Sequence, residues 1–548
     1  MAIKLVQQRQ QFLQELLKRD HTLNGGILYG LDGYIIEMQA RAMDILRRPM
    51  HFGAVRNGDG PVTKISGMAR GAISESIDRI TGAFAKWGIP DTEVSILINL
   101  APADLPKEGT WLDLPLAILM LQASGYLPKL SDQMEGDLIL MGELGLHGEV
   151  RRVPGALSIA FTAKPGQSLI VPTGNEKECA LILAKPGYDG CNVYPVSTLD
   201  EVIQFFQHKR PLENALQGGV TFQDYIPKAV DFGQILGQEK AKEAACIAAA
   251  GGHNLLMIGP PGEGKSLIAG AIPGILPRLS NAEKVDLTKI YSAYGALEHD
   301  GMAVTRRPMR NIHHTASKQS LIGGGSGRPR PGEITLAHLG VLFLDEIAEF
   351  SRATLEALRQ PIESGRIVVS RVGGSFEYPC RFTLVAAMNP CPCGFYGTES
   401  CTCRPQDVEK YHHKISGPIL DRIDLQVELN RLSTSERFGE TKNDLSPRLR
   451  AKIEAARVRQ QDRFNGLDIP YNAAIPAGQI RELCNFSLPA FDHYKSLIGN
   501  HLLSTRSMDR LAKVARTVAD LDNSDQIVEK HIDKAGSFVI GGMLRESS

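Results

Sequence analysis

Two short runs carry residues whose types and spacing suit phosphate chemistry. Gly259-Pro260-Pro261-Gly262-Glu263-Gly264-Lys265-Ser266 follows the apolar run Asn254–Ile258 and precedes the apolar Leu267-Ile268-Ala269. Glycines let successive backbone N–H groups turn inward around a phosphate, and the start of a helix adds a favourable dipole. In such a loop Lys265 reaches the β- and γ-phosphates and Ser266 ligates Mg²⁺. The second run is Val341-Leu342-Phe343-Leu344-Asp345-Glu346, four apolar residues ending in two carboxylates. Downstream of a phosphate loop, Asp345 organises Mg²⁺ and Glu346 polarises an attacking water. The pair therefore points to ATP hydrolysis rather than nucleotide binding alone.

A third constellation is built from thiols. Cys391-Pro392-Cys393 and Cys401-Thr402-Cys403 are separated by seven residues, two of them glycine. Four thiolates on a short loop suit tetrahedral Zn²⁺ with closed coordination, which is a structural rather than a catalytic site. His412 and His413 are the substitute ligands within reach of the same loop. The chain has nine Cys and its N-terminus has no signal-peptide pattern. That combination is expected of the reducing cytosol, where clustered Cys more often bind metal than form disulfides. Cys391 follows Asn389 by two positions, so a metal there would brace the loop that Asn389 begins.

Cations crowd one insertion between the phosphate loop and Asp345: Arg306, Arg307, Arg310, His313, His314, Lys318, Arg328 and Arg330, interleaved with Gly323, Gly324, Gly325 and Gly327. A hairpin-like stretch, Gly365 to Tyr378, adds Arg366 and Arg371. Cationic loops of this kind follow nucleic-acid phosphates without reading bases. A solvated face is the other outcome of such a run.

The elements that must position these groups follow from periodicity. In a chain of 548 residues, 43% hydrophobic and 22% charged, several folded domains are expected. Lys+Arg and Asp+Glu are both 61, which excludes a globally basic nucleic-acid binder and leaves only a local basic track. The longest apolar run, Leu114 to Leu121, falls far short of the roughly 20 residues that a spanning helix needs. Residues 1–25 read as a helical extension with Ile3, Leu5, Val6, Phe12, Leu13, Leu16 and Leu17 on one face. Residues 26–208 read as a mixed α/β domain, with strand-like runs at 33–37, 94–100 and 169–172 and a helix over 72–87. A linker over 209–228, an α/β nucleotide-binding core over 229–430 and a small all-α domain over 445–545 complete the chain.

The nucleotide core resembles the AAA+ ATPases. Ile235-Leu236-Gly237-Gln238 matches the adenine-side box of that class. Asn389, ending the apolar run Phe382–Ala387 after Met388, matches the sensor that orients the lytic water. Arg422, within Ser416–Asp424, matches the finger that acts in a neighbouring subunit, and Arg506 matches the second sensor, with Arg510 as the fallback. In such motors, cationic loops and hairpins project into a central pore. The resemblance narrows to the ComM/YifB family of magnesium-chelatase-like ATPases. It is carried by Asn99–Gly109, Ala248–Asn254, Gly332–His338 and Asn389–Gly394, and covers the chain from about 26 to 538. It implies a Lon-protease-like α+β N-terminal domain, an AAA+ core with a parallel sheet, and a C-terminal helical lid. It also implies ATP and Mg²⁺ as cofactors, a ring hexamer, and action as a helicase on branched or single-stranded DNA during recombination of incoming strands.

Lon proteases cut with a Ser–Lys pair. Here Pro106-Lys107-Glu108-Gly109-Thr110-Trp111 puts Trp111 in the nucleophile's place, and Gly155–Ala160 offers no Lys. The domain is expected not to cut peptides, which opposes an ATP-dependent protease. A protein-remodelling motor of the chelatase type is the remaining alternative.

Overall fold

The computed structural model describes residues 11–12, 14–43, 62–67, 72–89, 94–217, 230–297, 303–324, 330–371, 374–439, 441 and 444–540, the side chains of 72–74, 371 and 374 excepted. The N-terminal region is a seven-stranded sheet built from β1 (Asp20–Tyr29), β2 (Asp32–Met43), β3 (Thr63–Ser66), β4 (Ser95–Ala101), β5 (Leu138–Leu140), β6 (Ser168–Pro172) and β7 (Asn192–Val196). Their order is β3-β4-β2-β1-β5-β6-β7. Strand β1 begins at Asp20, so the helical extension expected over 1–25 ends sooner. Residues 20–25 alternate buried and less buried positions, the period of a strand rather than of a helix. Of the expected apolar face, Leu16 is buried while Phe12 is half exposed; Ile3, Leu5, Val6 and Leu13 lie outside the described residues.

The helix Asp113–Ala123 is buried along its whole length and packs on β1 and β2. A helix apolar all round belongs in a core, which is why its apolar run does not mark a membrane span. No helix among the described residues is long and apolar enough to cross a membrane. Asp113, fully buried at its start, is held by Arg79 at 2.7 and 3.0 Å and accepts the Leu144 N–H at 3.2 Å.

The second sheet is entirely parallel: β8 (Leu255–Ile258), β9 (Met309–Ile312), β10 (Val341–Leu344), β11 (Thr383–Met388) and β12 (Leu425–Glu428), in the order β9-β10-β11-β8-β12. Parallel strands are covered on both faces and so read as continuous apolar runs. Alternation assigns the faces. Leu255, Met257, Val341, Phe343, Val385 and Ala387 join one core; Leu256, Ile258, Leu342, Leu344, Leu384 and Ala386 join the other. The C-terminal helices Thr505–Leu521 and Glu529–Val539 bury Val514, Val518 and Phe538 in the first of these cores, so they share it with the sheet. The last of these helices begins at Glu529, after an irregular segment.

The N-terminal region rests on the nucleotide core at two places. Helix Asn281–Tyr294 meets it through Ser292, which donates to the buried Glu178, and through Lys289, 2.7 Å from Asp32. The hairpin Arg366–Arg371/Gly374–Pro379 meets it through Phe376, whose ring lies 4.7 Å from that of Tyr29. Gly30, at φ 66, is required there, because a Cβ would stand 2.8 Å from the Phe376 ring.

Candidate functional site

Strand register brings the chemical groups together. Ile258 pairs with Met388, Leu344 with Ala386, and Ile312 with Leu344. The residues that follow these strands, Gly259, Asn389, Asp345 and Glu346, and His313 and His314, therefore emerge at the same carboxyl edge. Open α/β sheets bind ligands at that edge.

Lys265 begins the helix Lys265–Ala271 and is buried. Its ammonium donates to Gly259 O at 2.5 Å, Pro260 O at 2.9 Å and Asn389 Oδ1 at 3.0 Å. All three acceptors are neutral, and burial pulls the Lys265 pKa down. A desolvated cation whose hydrogen-bond acceptors are all neutral favours an incoming anion. Gly262 and Gly264, at φ 82 and 88, supply the left-handed turns that point backbone N–H groups inward. Both have open space beside them. These features fit a polyphosphate.

Ser266 Oγ lies 2.9 Å from Asp345 Oδ2. An adjacent hydroxyl and carboxylate form an all-oxygen pair suited to a hard cation such as Mg²⁺. The other oxygen of Asp345 accepts the Glu346 N–H at 3.0 Å. Glu346 takes φ 52 and is exposed, so its carboxylate stands out from the strand end. His314 Nδ1 lies 3.6 Å from it. Glu263, counted by motif among the phosphate-loop residues, turns its side chain away: it is buried, accepts the Leu432 N–H at 3.2 Å and faces Arg437 at 3.4 Å.

The two arginines read as finger and second sensor lie outside this cluster. Arg422 is mostly buried and donates to Pro418 O at 2.5 Å and to Glu363. Arg506 is exposed and sits 2.9 Å from Asp421. Arg510 is buried and donates to the carbonyls of Leu420 and Ile423. Both lid arginines thus hold the segment that carries Arg422.

The four expected metal ligands do meet. The sulfurs of Cys391, Cys393, Cys401 and Cys403 all lie within 4.8 Å of one another, with separations of 3.4, 3.7 and 3.9 Å among three of them. Sulfurs bound at about 2.3 Å to one tetrahedral ion stand about 3.8 Å apart, so the donor set fits Zn²⁺. Backbone N–H groups of Thr402 and Phe395 bring the Cys393 thiol down to about 5. The substitute histidines are elsewhere: His412 Nε2 is 2.8 Å from Pro390 O, and His413 is exposed beside Glu409. Their side chains are committed to or face other partners, so neither completes the cluster.

The cations of the insertion differ in their surroundings. Arg307 is largely buried and donates to Pro277 O at 2.6 Å, Leu339 O at 2.9 Å and Glu283 at 3.0 Å. Arg310 forms a two-pronged pair with Glu333 at 2.5 and 3.0 Å. Both guanidiniums are thus paired with carboxylates of the fold. Arg306 is half-buried; Arg330 and Lys318 are exposed; Arg366 is exposed and pairs with Glu377 across its hairpin at 2.9 Å. Arg328 and the Arg371 side chain lie outside the described residues. In the N-terminal domain, Trp111 is buried with its indole N–H on Pro154 O at 2.7 Å, and the Thr110 hydroxyl donates to Glu143 at 2.7 Å.

Sequence reasoning missed two positioning residues. Asn254 accepts the Leu384 N–H at 2.9 Å and donates to Arg422 O at 2.8 Å, tying three strands; a polar residue directly before a buried strand was the available signal. Glu363, the partner of Arg422, carried no local signal.

A family profile described as magnesium chelatase, subunit ChlI, matches residues 231–437. Profiles described as subunit ChlI of Mg-chelatase and as the subunit's C-terminal part match 54–175 and 443–538. The chain is 41% identical over 486 residues to the protein YifB of Escherichia coli (strain K12), covering 87% of this chain and 91% of that one. It is 38% identical over 493 residues to the competence protein ComM of Haemophilus influenzae, with coverages of 87% and 91%. The magnesium-chelatase 38 kDa subunit of Cereibacter sphaeroides is 26% identical over 219 residues, covering 37% of this chain and 60% of that one.

Proposed function

The chain belongs to the ComM/YifB family of magnesium-chelatase-like AAA+ ATPases, and from that premise we propose that it is a Mg²⁺-dependent ATP hydrolase that moves branched or single-stranded DNA. The observation that carries the hydrolase reading is the meeting of Lys265, Asn389, Ser266 and Asp345 at one sheet edge, with Glu346 beside them. Lys265 binds phosphate oxygens. Ser266 and Asp345 hold Mg²⁺, which neutralises charge on the phosphates when bound. Asn389 positions a water, and Glu346 polarises it toward the terminal phosphate.

Arg422 completes the site of a neighbouring subunit in a ring, taken as a hexamer, after leaving Glu363. Arg506 acts through the Arg422 segment. The cysteine loop carries a structural Zn²⁺. DNA as the moved object is supported by the competence role in the name of the Haemophilus relative and by the exposed cations Lys318, Arg330 and Arg366. With Trp111 buried in the nucleophile's place, the Thr110 hydroxyl bonded to Glu143 and no Lys in Gly155–Ala160, the N-terminal domain serves as a scaffold rather than a protease.

The test is ATPase activity of the full-length protein with and without single-stranded, duplex and four-way-junction DNA at fixed low salt. Stimulation by branched or single-stranded DNA is expected. A protein-remodelling motor, favoured by the partial match to the chelatase subunit, predicts the same rate with every DNA. That outcome, together with no DNA binding at low salt, would leave only the ATPase.

A further inference from the structure

The cysteine loop touches the nucleotide site by packing that spacing alone does not reveal. Residues 389–404 contain neither helix nor strand. The loop keeps its shape through tight turns, such as Gly394 N–H to Cys391 O at 3.0 Å and Cys401 N–H to Thr398 O at 3.1 Å, and through the thiol cluster. Gly394 takes φ 83, and a Cβ there would stand 2.7 Å from Pro261 Cδ and 4.0 Å from the Asn389 amide carbon. Its backbone therefore rests on the phosphate loop itself. The next ring, Phe395, lies under the Arg431 guanidinium at 5.0 Å. Arg431 precedes Leu432, whose N–H holds Glu263 of the phosphate loop. From below, His412 meets Pro390 O at 2.8 Å, and the Tyr411 hydroxyl accepts a bond from the Asn389 backbone.

We propose that a Zn²⁺ ion held by Cys391, Cys393, Cys401 and Cys403 sets the shape of the phosphate loop and the position of Asn389, so that occupancy of the metal site governs nucleotide binding. The inference rests on reading residues 259–266 as the nucleotide site. A borderline-soft divalent ion takes four thiolates, whereas Mg²⁺ prefers oxygen, so the two metals do not compete for one site. With the ion bound, the four sulfurs form one rigid node, and Gly394 and Phe395 are held against Pro261 and Arg431. Without it, the turns and the contacts of Pro390 and Phe395 alone oppose the entropy of the loop. The contact at Pro261 then loosens, and the segment after Asn389 is held only through Pro390 and Phe395.

The test uses the full-length protein. Zinc per chain, affinity for a fluorescent ADP, and amide hydrogen exchange of residues 255–268 are measured for three proteins: wild type, the Cys401→Ser/Cys403→Ser double variant, and Gly394→Ala. Wild type should carry about one zinc per chain. The double variant should lose it, bind ADP about tenfold more weakly and exchange faster in 255–268. Gly394→Ala should keep zinc yet show both defects, because it breaks the packing and not the ligands; it decides the matter even if the double variant does not fold. Wild-type protein without zinc overturns the metal. A folded, zinc-free double variant with wild-type affinity and exchange overturns the coupling, as does a zinc-loaded Gly394→Ala that behaves as wild type. Zinc-loaded wild type that binds no ADP defeats the nucleotide reading instead, and exchange in 255–268 then decides the coupling by itself.

Discussion

Lys265 and Glu346 sit in one site but in different surroundings, and their substitutions should separate accordingly. Lys265 is buried among neutral oxygens and is the group an incoming phosphate meets. Lys265→Ala should weaken nucleotide binding by about tenfold or more, as expected when a charge-assisted contact worth about 1.5–3 kcal/mol is lost. Glu346 is exposed, with its N–H on Asp345 and its carboxylate 3.6 Å from His314. Glu346→Gln should keep binding and lose turnover by a factor of about 10²–10⁴, the scale of general-base catalysis. Equilibrium binding of a fluorescent nucleotide and steady-state phosphate release measure the two effects. Equal hydrolysis by Glu346→Gln and wild type would remove Glu346 from its role.

At the scale of elements, the insertion between the phosphate loop and β10 divides into paired arginines and exposed cations. Arg307 anchors the chain between helix Asn281–Tyr294 and the segment before β10, through Glu283 and the carbonyls of Pro277 and Leu339. Arg307→Ala leaves a partly buried carboxylate and two backbone carbonyls without this donor. It should cost about 1–2 kcal/mol, read as a lower urea midpoint, since these acceptors lose a charged hydrogen-bond donor in a partly buried setting. Arg330→Ala with Arg366→Ala should leave that midpoint nearly unchanged, because both side chains are exposed. If these residues follow phosphates, the double variant should bind DNA more weakly, with a salt slope flatter by roughly 0.7–0.9 per lost contact. Unchanged DNA affinity would make this a solvated face. The hairpin that carries Arg366 has its apolar side, Ile367, Val369, Phe376 and Tyr378, committed to the core beneath it and to Tyr29. Only its outer side is available to a ligand.

For the whole molecule, the decisive question is whether subunits complete one another's sites. In the single chain, Arg422 points to Glu363 and Pro418, not to Lys265 or Asn389. That placement is consistent with Arg422 serving another copy's terminal phosphate, which mixing subunits tests. Arg422→Ala should bind nucleotide normally and hydrolyse it poorly. Mixing it with Glu346→Gln should restore part of the activity, because mixed rings contain interfaces with both residues intact. Mixed rings without recovery would assign Arg422 to its own subunit. The N-terminal domain is joined to the same core through Glu178–Ser292, Asp32–Lys289 and Tyr29–Phe376. It is therefore in contact with the nucleotide core at two separate elements.

The sequence by itself determined what is local. The phosphate loop, the carboxylate pair and the cysteine spacing are contiguous, and their chemistry needs only a strand end, a turn or a short loop to act. Apolar runs of four to six residues announced β8, β10 and β11, because parallel strands are buried on both faces. Partner choice across the chain was decided by the tertiary structure. Arg307 and Arg310 read as free cations in a basic run, yet Glu283 and Glu333, more than twenty positions away, bind them. Register, invisible in any one strand, set Lys265 against Asn389. Packing brought Gly394 onto Pro261, although 133 positions separate them in sequence. A side chain's type states what it can bind; which group it meets is fixed only when the strands pair and the cores close.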